Sequence, residues 1–243
     1  PSSLKDADFF GTFCNIKPDI CVIVAYGKII PEKYLDIPAF GFINIHPSLL
    51  PKYRGPSPIQ SAILNGDNDA GITLMKIDKE MDHGPIIAGI DYQISHDDYY
   101  PEIEIKMADV GAELLIDNLS KYLDGKMVPI EQDHDQATYV KKFERADGKI
   151  NWSKSAEQIR NQIRALNPNP GTWTTLNGKT LNIFKADIVE LDSNEIVIRE
   201  KSRLLLKTGD SYISPTFLQL EGKQILSIKD FLNGFRDAEM NIG

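Results

Sequence analysis

The chain has 243 residues, a net charge of −8 and two cysteines, Cys14 and Cys21. That length suits one large or two modest domains with real cores, and the acidic total does not indicate a nucleic-acid binder. Two cysteines are too few for a disulfide framework or a zinc site, and without a long apolar run or a visible signal peptide we expect a cytoplasmic protein.

The first half of the chain alternates strand-like and helix-like segments. The strands are short apolar or β-branched runs, such as "GFINIH" at 41–46, and the long helical pattern has Pro101 near its start and Gly125 past its end. The predicted strands are 19–27, 41–46, 71–78 and 85–94, and the predicted helices are 30–38, 57–67 and 101–125. This alternation favours a doubly wound α/β layer.

The pattern changes after Gly125. Residues 126–142 are polar and irregular, which is typical of a linker, and residues 155–167 form an amphipathic helical pattern with Ser155 as its N-cap. Short strand-like runs broken by turns follow, and they favour a small barrel or sandwich.

Charge is distributed unevenly between the two halves. Residues 140–243 hold 16 of the 27 Lys and Arg but only 13 of the 35 Asp and Glu. Such asymmetry hints at separate domains with different partners, although ordinary variation of surface charge explains it equally well.

Asn44, His46 and Asp82 form the candidate site. Alternation along a strand places Asn44 and His46 on one face, and Asp82 follows the next predicted strand, so we expect all three beyond strand C-terminal ends where α/β sheets bind ligands. An Asn amide can donate to an oxyanion, a His can act as acid or base, and an Asp can fix the imidazole tautomer. No Ser or Cys accompanies them, which favours direct transfer over a covalent hydrolase. The competing interpretation is that they are loop anchors and a turn residue.

Two separated stretches carry a family resemblance. "NIHPSLLPKYRG" (44–55) followed by "MDHGPII" (81–87) resembles the folate-dependent formyltransferases, and "TYVKKFERADGKINWSKSAEQIRNQIRALNPNPGTW" (138–173) resembles the branch of that family that acts on methionyl-tRNA. The resemblance covers nearly the whole chain. It implies an α/β Rossmann-like formyltransferase domain, incomplete at the N-terminus, followed by a small OB-like β-barrel. We therefore expect the numbered sequence to begin inside a domain.

The same resemblance implies substrates and domain roles. The formyl donor would be 10-formyltetrahydrofolate and the acceptor the α-amino group of methionyl initiator tRNA, with no metal, no membrane partner and a monomeric enzyme. Residues 1–125 would form the catalytic domain, 126–142 the linker and 143–243 the tRNA-binding domain.

Asn44, His46 and Asp82 would then be catalytic, and further residues would bind the two substrates. The folate-binding residues would be Tyr26, Gly27, Ser48, Leu49, Leu50 and Pro51. The tRNA-binding residues would be Lys141, Lys142, Arg145 and Arg164. The plainer interpretations are a simple turn for residues 48–51 and a solvated charged face for the basic residues.

Two other functions stay open. One is a formyltransferase for a small amine, such as glycinamide ribonucleotide or an amino-sugar nucleotide, and the extension beyond residue 125 argues against it. The other is a non-catalytic RNA-binding relative, and the intact Asn-His-Asp set argues against that.

Overall fold

A computed structural model describes residues 4–235, 237 and 239–243; residues 1–3, 236 and 238, which fall in the predicted domains, lie outside the described residues. The chain divides into two compact units. Unit 1 comprises Pro1–Ile59, Asn68–Ser95 and Ile103–Lys142, and unit 2 comprises Gln60–Asp67, His96–Glu102 and Phe143–Gly243. None of the helices in the described ranges has the length and apolarity needed to cross a membrane.

The first eight elements alternate between helix and strand, as the sequence indicates, except that two strands follow each other before the last helix. In chain order they are α1 (Ala7–Ile16), β1 (Cys21–Ile23), α2 (Glu32–Leu35), β2 (Phe42–His46), α3 (Pro58–Asn65), β3 (Asp69–Lys76), β4 (Ile86–Gln93) and α4 (Tyr100–Leu123). Helix α1 was not predicted. Its N-cap is Asp6, whose carboxylate accepts from the Asp8 amide at 2.9 Å.

The sheet of unit 1 has the order β1-β2-β3-β4. β1 and β2 are parallel, as a doubly wound layer requires, but β3 is antiparallel to both β2 and β4. β3 alone therefore runs opposite to β1, β2 and β4, so the prediction of a doubly wound layer does not hold for this strand, which continues into β4 through a loop rather than a crossover helix. The Rossmann-like α/β class itself is confirmed.

Strand β2 carries Asn44 and His46 on the face opposite to Ile43 and Ile45. Ile43 is fully buried, and Ile45 packs on α4 so closely that a Cβ added at Gly111 would lie 2.9 Å from its Cγ2. The alternation of a strand then directs Asn44 and His46 to the opposite face. The packing of Ile43 and Ile45 on one face thus sets the direction of the two polar side chains.

Unit 2 is a curled antiparallel sheet, a half-barrel, with a helix packed on it. The remaining elements are α5 (Ala156–Leu166), β5 (Trp173–Leu176), β6 (Lys179–Val189), β7 (Val197–Arg199), β8 (Leu204–Lys207), β9 (Tyr212–Leu220), β10 (Leu226–Ser227) and α6 (Ile228–Gly234). The strand order is β5-β6-β9-β8-β7, with β10 paired to β9. Register shifts near Lys185 bend β6, and Ile159 and Ile163 of α5 fill the core beneath it. The predicted strand-rich second domain is confirmed, while α6 was not predicted.

Candidate active site

His46 ends strand β2 and is almost completely buried, with 4% of the residue exposed. Its Nε2 lies 3.1 Å from the carbonyl oxygen of Tyr53, and its Nδ1 lies 3.7 Å from Oδ1 of Asp82. A carbonyl only accepts hydrogen bonds, so we assign the proton of the neutral ring to Nε2. Nδ1 then faces the carboxylate with a lone pair, which explains why that distance is too long for a hydrogen bond.

The backbone carbonyl of Tyr53 therefore fixes the tautomer, not the carboxylate as we expected. Tyr53 has a φ of +61°, an uncommon value for a residue with a side chain. A second segment supports this conformation, since the Tyr53 amide donates to Oγ1 of Thr138 at 2.8 Å. Asp82 is left to stabilise a proton that arrives at Nδ1.

Asp82 reaches His46 by a route that differs from the prediction. Because β3 is antiparallel to β2, Lys76 at the end of β3 lies opposite Ile43, and His46 lies opposite Thr73. The loop between β3 and β4, not the strand end, brings the carboxylate to the imidazole. Oδ2 of Asp82 accepts from the amide of Gly55 at 2.8 Å, which fixes the direction of the carboxylate.

Burial lowers the pKa of His46 from its ordinary value of 6.5, and the charge of Asp82 and the bond to the Tyr53 carbonyl oppose that shift without reversing it. The imidazole is therefore neutral near pH 7. A neutral ring beside an ionised carboxylate can take up one proton, and the pair then carries it as an ion pair.

Asn44 lies half-buried on the same face of β2, two residues before His46, between Ile23 of β1 and Met75 of β3. The three predicted residues thus lie on one strand and one loop of unit 1, and their catalytic roles stay a prediction. In the part of the chain that the structure describes, no group of three or more His, Cys, Asp and Glu side chains could hold a metal ion.

Residues 48–51 form a tightly bonded turn next to the site. The Ser48 hydroxyl donates to the carbonyl of Lys52 at 2.6 Å, and Oγ1 of Thr73 donates to the Ser48 carbonyl and accepts from the Leu50 amide. Leu50 is 7% exposed, and the half-buried Leu49 fits against Gly71 on β3, where a Cβ would collide with it. The turn interpretation therefore fits Ser48 and Leu50, and the predicted folate contacts of residues 48–51 stay a prediction.

Tyr26 and Gly27 follow β1, the strand parallel to β2. Ile23 is opposite Asn44, so residues after β1 leave the sheet at the same edge as His46. Tyr26 also lines an apolar cavity of about 300 Å³ together with Phe9, Phe13 and Tyr34. None of the three predicted catalytic residues lines that cavity.

The predicted tRNA contacts occupy both units. Lys141 and Lys142 are exposed at the end of unit 1. Arg145 is exposed in unit 2, where its guanidinium lies over the Trp173 ring and donates to the carbonyl of Pro170 at 3.0 Å. All three side chains reach solvent, and their role in tRNA binding stays a prediction.

The fourth, Arg164, does not fit the predicted role. It is 3% exposed, and it donates to the carbonyl of Asp98 at 2.9 Å and to Oδ1 of Asn161 at 2.8 Å. Burial also lowers the pKa of its guanidinium. A side chain enclosed in this way anchors residues 96–102 to α5 within unit 2 and is not available to a phosphate.

Sequence analysis missed two buried polar residues beside the site, Arg54 and Gln132. Arg54 is 1% exposed and Gln132 is 5% exposed. Arg54 lies within the stretch that carries the family resemblance, but Gln132 lies in the segment interpreted as a linker, where a polar residue is expected to face solvent. No local pattern identifies such a residue as buried.

Comparison with known families agrees with the fold. The family described as "Formyl transferase" matches residues 1–119, and "Formyl transferase, C-terminal domain" matches residues 142–236. The chain therefore belongs to the formyl transferase family.

Within this family, the chain is similar to several methionyl-tRNA formyltransferases. A methionyl-tRNA formyltransferase from Dictyoglomus turgidum is 40% identical over 251 residues, which cover 100% of this chain and 79% of the relative.

Two solved structures share the fold. HypX from Aquifex aeolicus, in complex with tetrahydrofolic acid, has a TM-score of 0.72 at 19% identity and covers 96% of this chain and 44% of its own. Methionyl-tRNA formyltransferase from Clostridium thermocellum has a TM-score of 0.62 at 18% identity and covers 88% of this chain and 84% of its own.

Proposed function

We propose that this chain transfers a formyl group from 10-formyltetrahydrofolate to the α-amino group of methionyl initiator tRNA. The observation that carries the proposal is the 40% identity to a methionyl-tRNA formyltransferase over the whole chain. The paired His46 and Asp82 in unit 1 supply the acid–base chemistry that such a transfer needs.

In this proposal Asn44, His46 and Asp82 share the chemistry of one acyl transfer. The nitrogen of the acceptor amine attacks the formyl carbon, and the carbonyl electron pair moves to oxygen, where the Asn44 amide donates to the oxyanion. The proton that leaves the amine goes to Nδ1 of His46, next to Asp82. When the oxyanion collapses, the folate nitrogen departs with the bonding pair and takes that proton back.

Binding of the two substrates is assigned to different parts of the chain. Tyr26, Gly27 and residues 48–51 would contact the folate at the edge of the sheet where His46 lies. Lys141, Lys142 and Arg145 would contact the tRNA backbone, since phosphate neutralisation needs exposed basic side chains. Residues 1–125 would then form the catalytic domain and residues 143–243 the tRNA-binding domain.

The test is a formyl-transfer assay with three acceptors: methionyl-tRNA, glycinamide ribonucleotide and a nucleotide-linked amino sugar. We expect transfer to methionyl-tRNA alone. Asp82→Asn and His46→Ala should each lower turnover by about two to four orders of magnitude, because each removes half of the acid–base pair. Asp91→Asn, an exposed residue of β4, is the matched control and should keep wild-type turnover.

Efficient formylation of either small amine would favour the alternative substrates. Wild-type turnover in Asp82→Asn would contradict the assigned chemistry, whichever acceptor is used.

A further inference from the structure

Gln132 is a buried amide that holds the backbone on both sides of His83. It is 5% exposed and lies beyond α4, in the segment that packs back on unit 1. Its Nε2 donates to the carbonyl of Asp82 at 3.0 Å and to the carbonyl of Gly84 at 2.7 Å. One side chain, 50 residues away in sequence from Asp82, thus fixes two peptide groups of the loop that carries this carboxylate.

Arg54 determines which way this amide points. Its Nε and Nη2 donate to Oε1 of Gln132 at 3.2 and 2.7 Å. A guanidinium has only donors and a backbone carbonyl only accepts, so the oxygen of the amide must face Arg54 and the nitrogen must face the loop. The reverse orientation would leave donors against donors and acceptors against acceptors.

Arg54 is itself held rigidly. Its backbone bonds to the carbonyl of Thr138 and the amide of Val140, both at 2.8 Å. The guanidinium also contacts the Tyr139 hydroxyl at 3.2 Å and Nδ1 of His134 at 2.9 Å. Because a buried charge is costly unless its hydrogen bonds are made, this set of contacts is sensitive to the loss of any one partner.

The loop needs such support. Asp82 has a φ of +51°, in the left-handed region that most residues with a side chain avoid. Gly84 sits so close to β3 that a Cβ there would lie 2.2 Å from the carbonyl oxygen of Lys76. The direction of the Asp82 carboxylate toward His46 and the Gly55 amide depends on the conformation of this loop, which the contacts of Gln132 hold in place.

We propose that Gln132, oriented by Arg54, is a positioning residue that holds Asp82 against His46 for the transfer reaction. The expected effect on kcat rests on the proposed function, whereas the expected effect on the position of the Asp82 carboxylate does not. Gln132 acts through Asp82 and does not itself touch the reacting atoms.

The test compares Gln132→Glu and Gln132→Met with the wild type. The glutamate side chain can still accept from Arg54, but it presents an acceptor to the carbonyls of Asp82 and Gly84. The methionine side chain has a similar length and offers no donor. Gln136→Glu is the matched control, since Gln136 is exposed and its side chain bonds to Asp133, away from the loop.

We expect kcat to fall about ten- to a hundred-fold in both Gln132 variants, as misplacement of about 1 Å does elsewhere, while KM for the folate changes less than about two-fold. The amide of Gly55, which bonds to Oδ2 of Asp82, reports the carboxylate position without any substrate. Its proton signal should move upfield and its hydrogen exchange should accelerate about ten-fold in the Gln132 variants, because a charge-assisted hydrogen bond is weakened. Both observables should match the wild type in Gln136→Glu.

The outcomes separate the two proposals. Wild-type kcat and an unchanged Gly55 signal in Gln132→Glu would overturn the positioning role. A large rise in KM together with a lowered melting temperature would also overturn it, in favour of a general structural role. Failure of the wild type to formylate any acceptor would refute the proposed function, and the Gly55 signal would still decide whether Gln132 positions Asp82. If Gln132→Met does not fold, Gln132→Glu, which retains an acceptor for Arg54, decides alone.

Discussion

At the scale of single residues, the site depends on a neutral imidazole held by a backbone carbonyl. His46 donates from Nε2 to Tyr53, so its second nitrogen carries no proton and faces Asp82. Hydrogen bonding to a neutral peptide oxygen fixes the ring without charging it. The carboxylate becomes important only when a proton arrives, which is the condition that acid–base catalysis requires.

The lowered pKa of His46 predicts a specific loss of stability in acid. In the unfolded chain this imidazole takes up a proton near pH 6.5, whereas burial opposes protonation in the folded state. Below pH 6.5 the unfolded state therefore binds more protons, and stability falls as pH falls. Between about pH 7.5 and about pH 5.5 the wild type should lose up to about 1.4 kcal/mol more than His46→Gln.

Urea unfolding at the two pH values measures this difference. The remaining histidines and carboxylates are common to both proteins, so their contributions cancel in the comparison. An equal loss in the two proteins would mean that His46 titrates normally in the folded state.

At the scale of elements, two buried arginines of helix α5 hold a neighbouring loop of unit 2. Arg160 lies on this helix and is 7% exposed; it donates to the carbonyl of His96 at 3.0 Å and to the Asp97 carboxylate at 2.9 Å. The hydrogen bond and charge of Arg160 lower the pKa of Asp97. Together with Arg164 on Asp98, this arginine ties residues 96–98 to the helix, so both arginines of α5 serve structure.

Helix α5 also begins at a capping box. The Ser155 hydroxyl accepts from the amide of Gln158 at 3.2 Å, and the Gln158 side chain accepts from the Ser155 amide at 3.3 Å. Ser155→Ala should therefore lower the free energy of unfolding of unit 2 by about 1 kcal/mol. Calorimetry of the variant beside Ser153→Ala tests this, since the exposed Ser153 hydroxyl bonds to Asn151 and caps no helix. Equal melting temperatures for the two variants would show that the cap contributes nothing measurable.

At the scale of the whole molecule, the uneven distribution of charge determines which part of the chain can attract a polyanionic substrate. The acidic excess lies before residue 140, and the basic excess lies after it. Of the four residues predicted to bind tRNA, Arg164 is buried, whereas Lys141, Lys142 and Arg145 are exposed and can meet a phosphate.

Replacing Lys141 and Lys142 by glutamine should weaken methionyl-tRNA binding and reduce its salt dependence. Removal of one phosphate contact should lower the magnitude of the slope of log K against log salt by about 0.7–0.9. Folate affinity should stay constant, because neither lysine is among the residues assigned to the folate. Filter binding across a salt series measures the slope.

The matched control replaces two other exposed lysines of unit 1, Lys121 and Lys126, by glutamine, which removes the same charge elsewhere. Equal slopes for the two double variants would show that Lys141 and Lys142 do not contact the tRNA backbone.

Local patterns in the sequence determined much of this molecule. The alternation in "GFINIH" placed Asn44 and His46 on one face of β2, and Ser155 marked the start of α5. The separated motifs at 44–55 and 81–87 indicated the formyltransferase family, to which the chain belongs. These inferences succeed because strand alternation, helix capping and motif order are properties of neighbouring residues.

Tertiary structure alone decided the direction of β3 and the partners of distant polar groups. Nothing local distinguishes a parallel from an antiparallel partner, so the sequence does not show that the carboxyl end of β3 lies away from His46, beside Ile43. Arg164 is predicted from the sequence to bind tRNA, but in the structure it is buried and donates to the carbonyl of Asp98. Arg54 and Gln132 meet across 78 residues, and their burial follows from the folding of residues 126–142 back onto unit 1. Such contacts depend on which segments approach each other, and that is set by the packing of the whole chain.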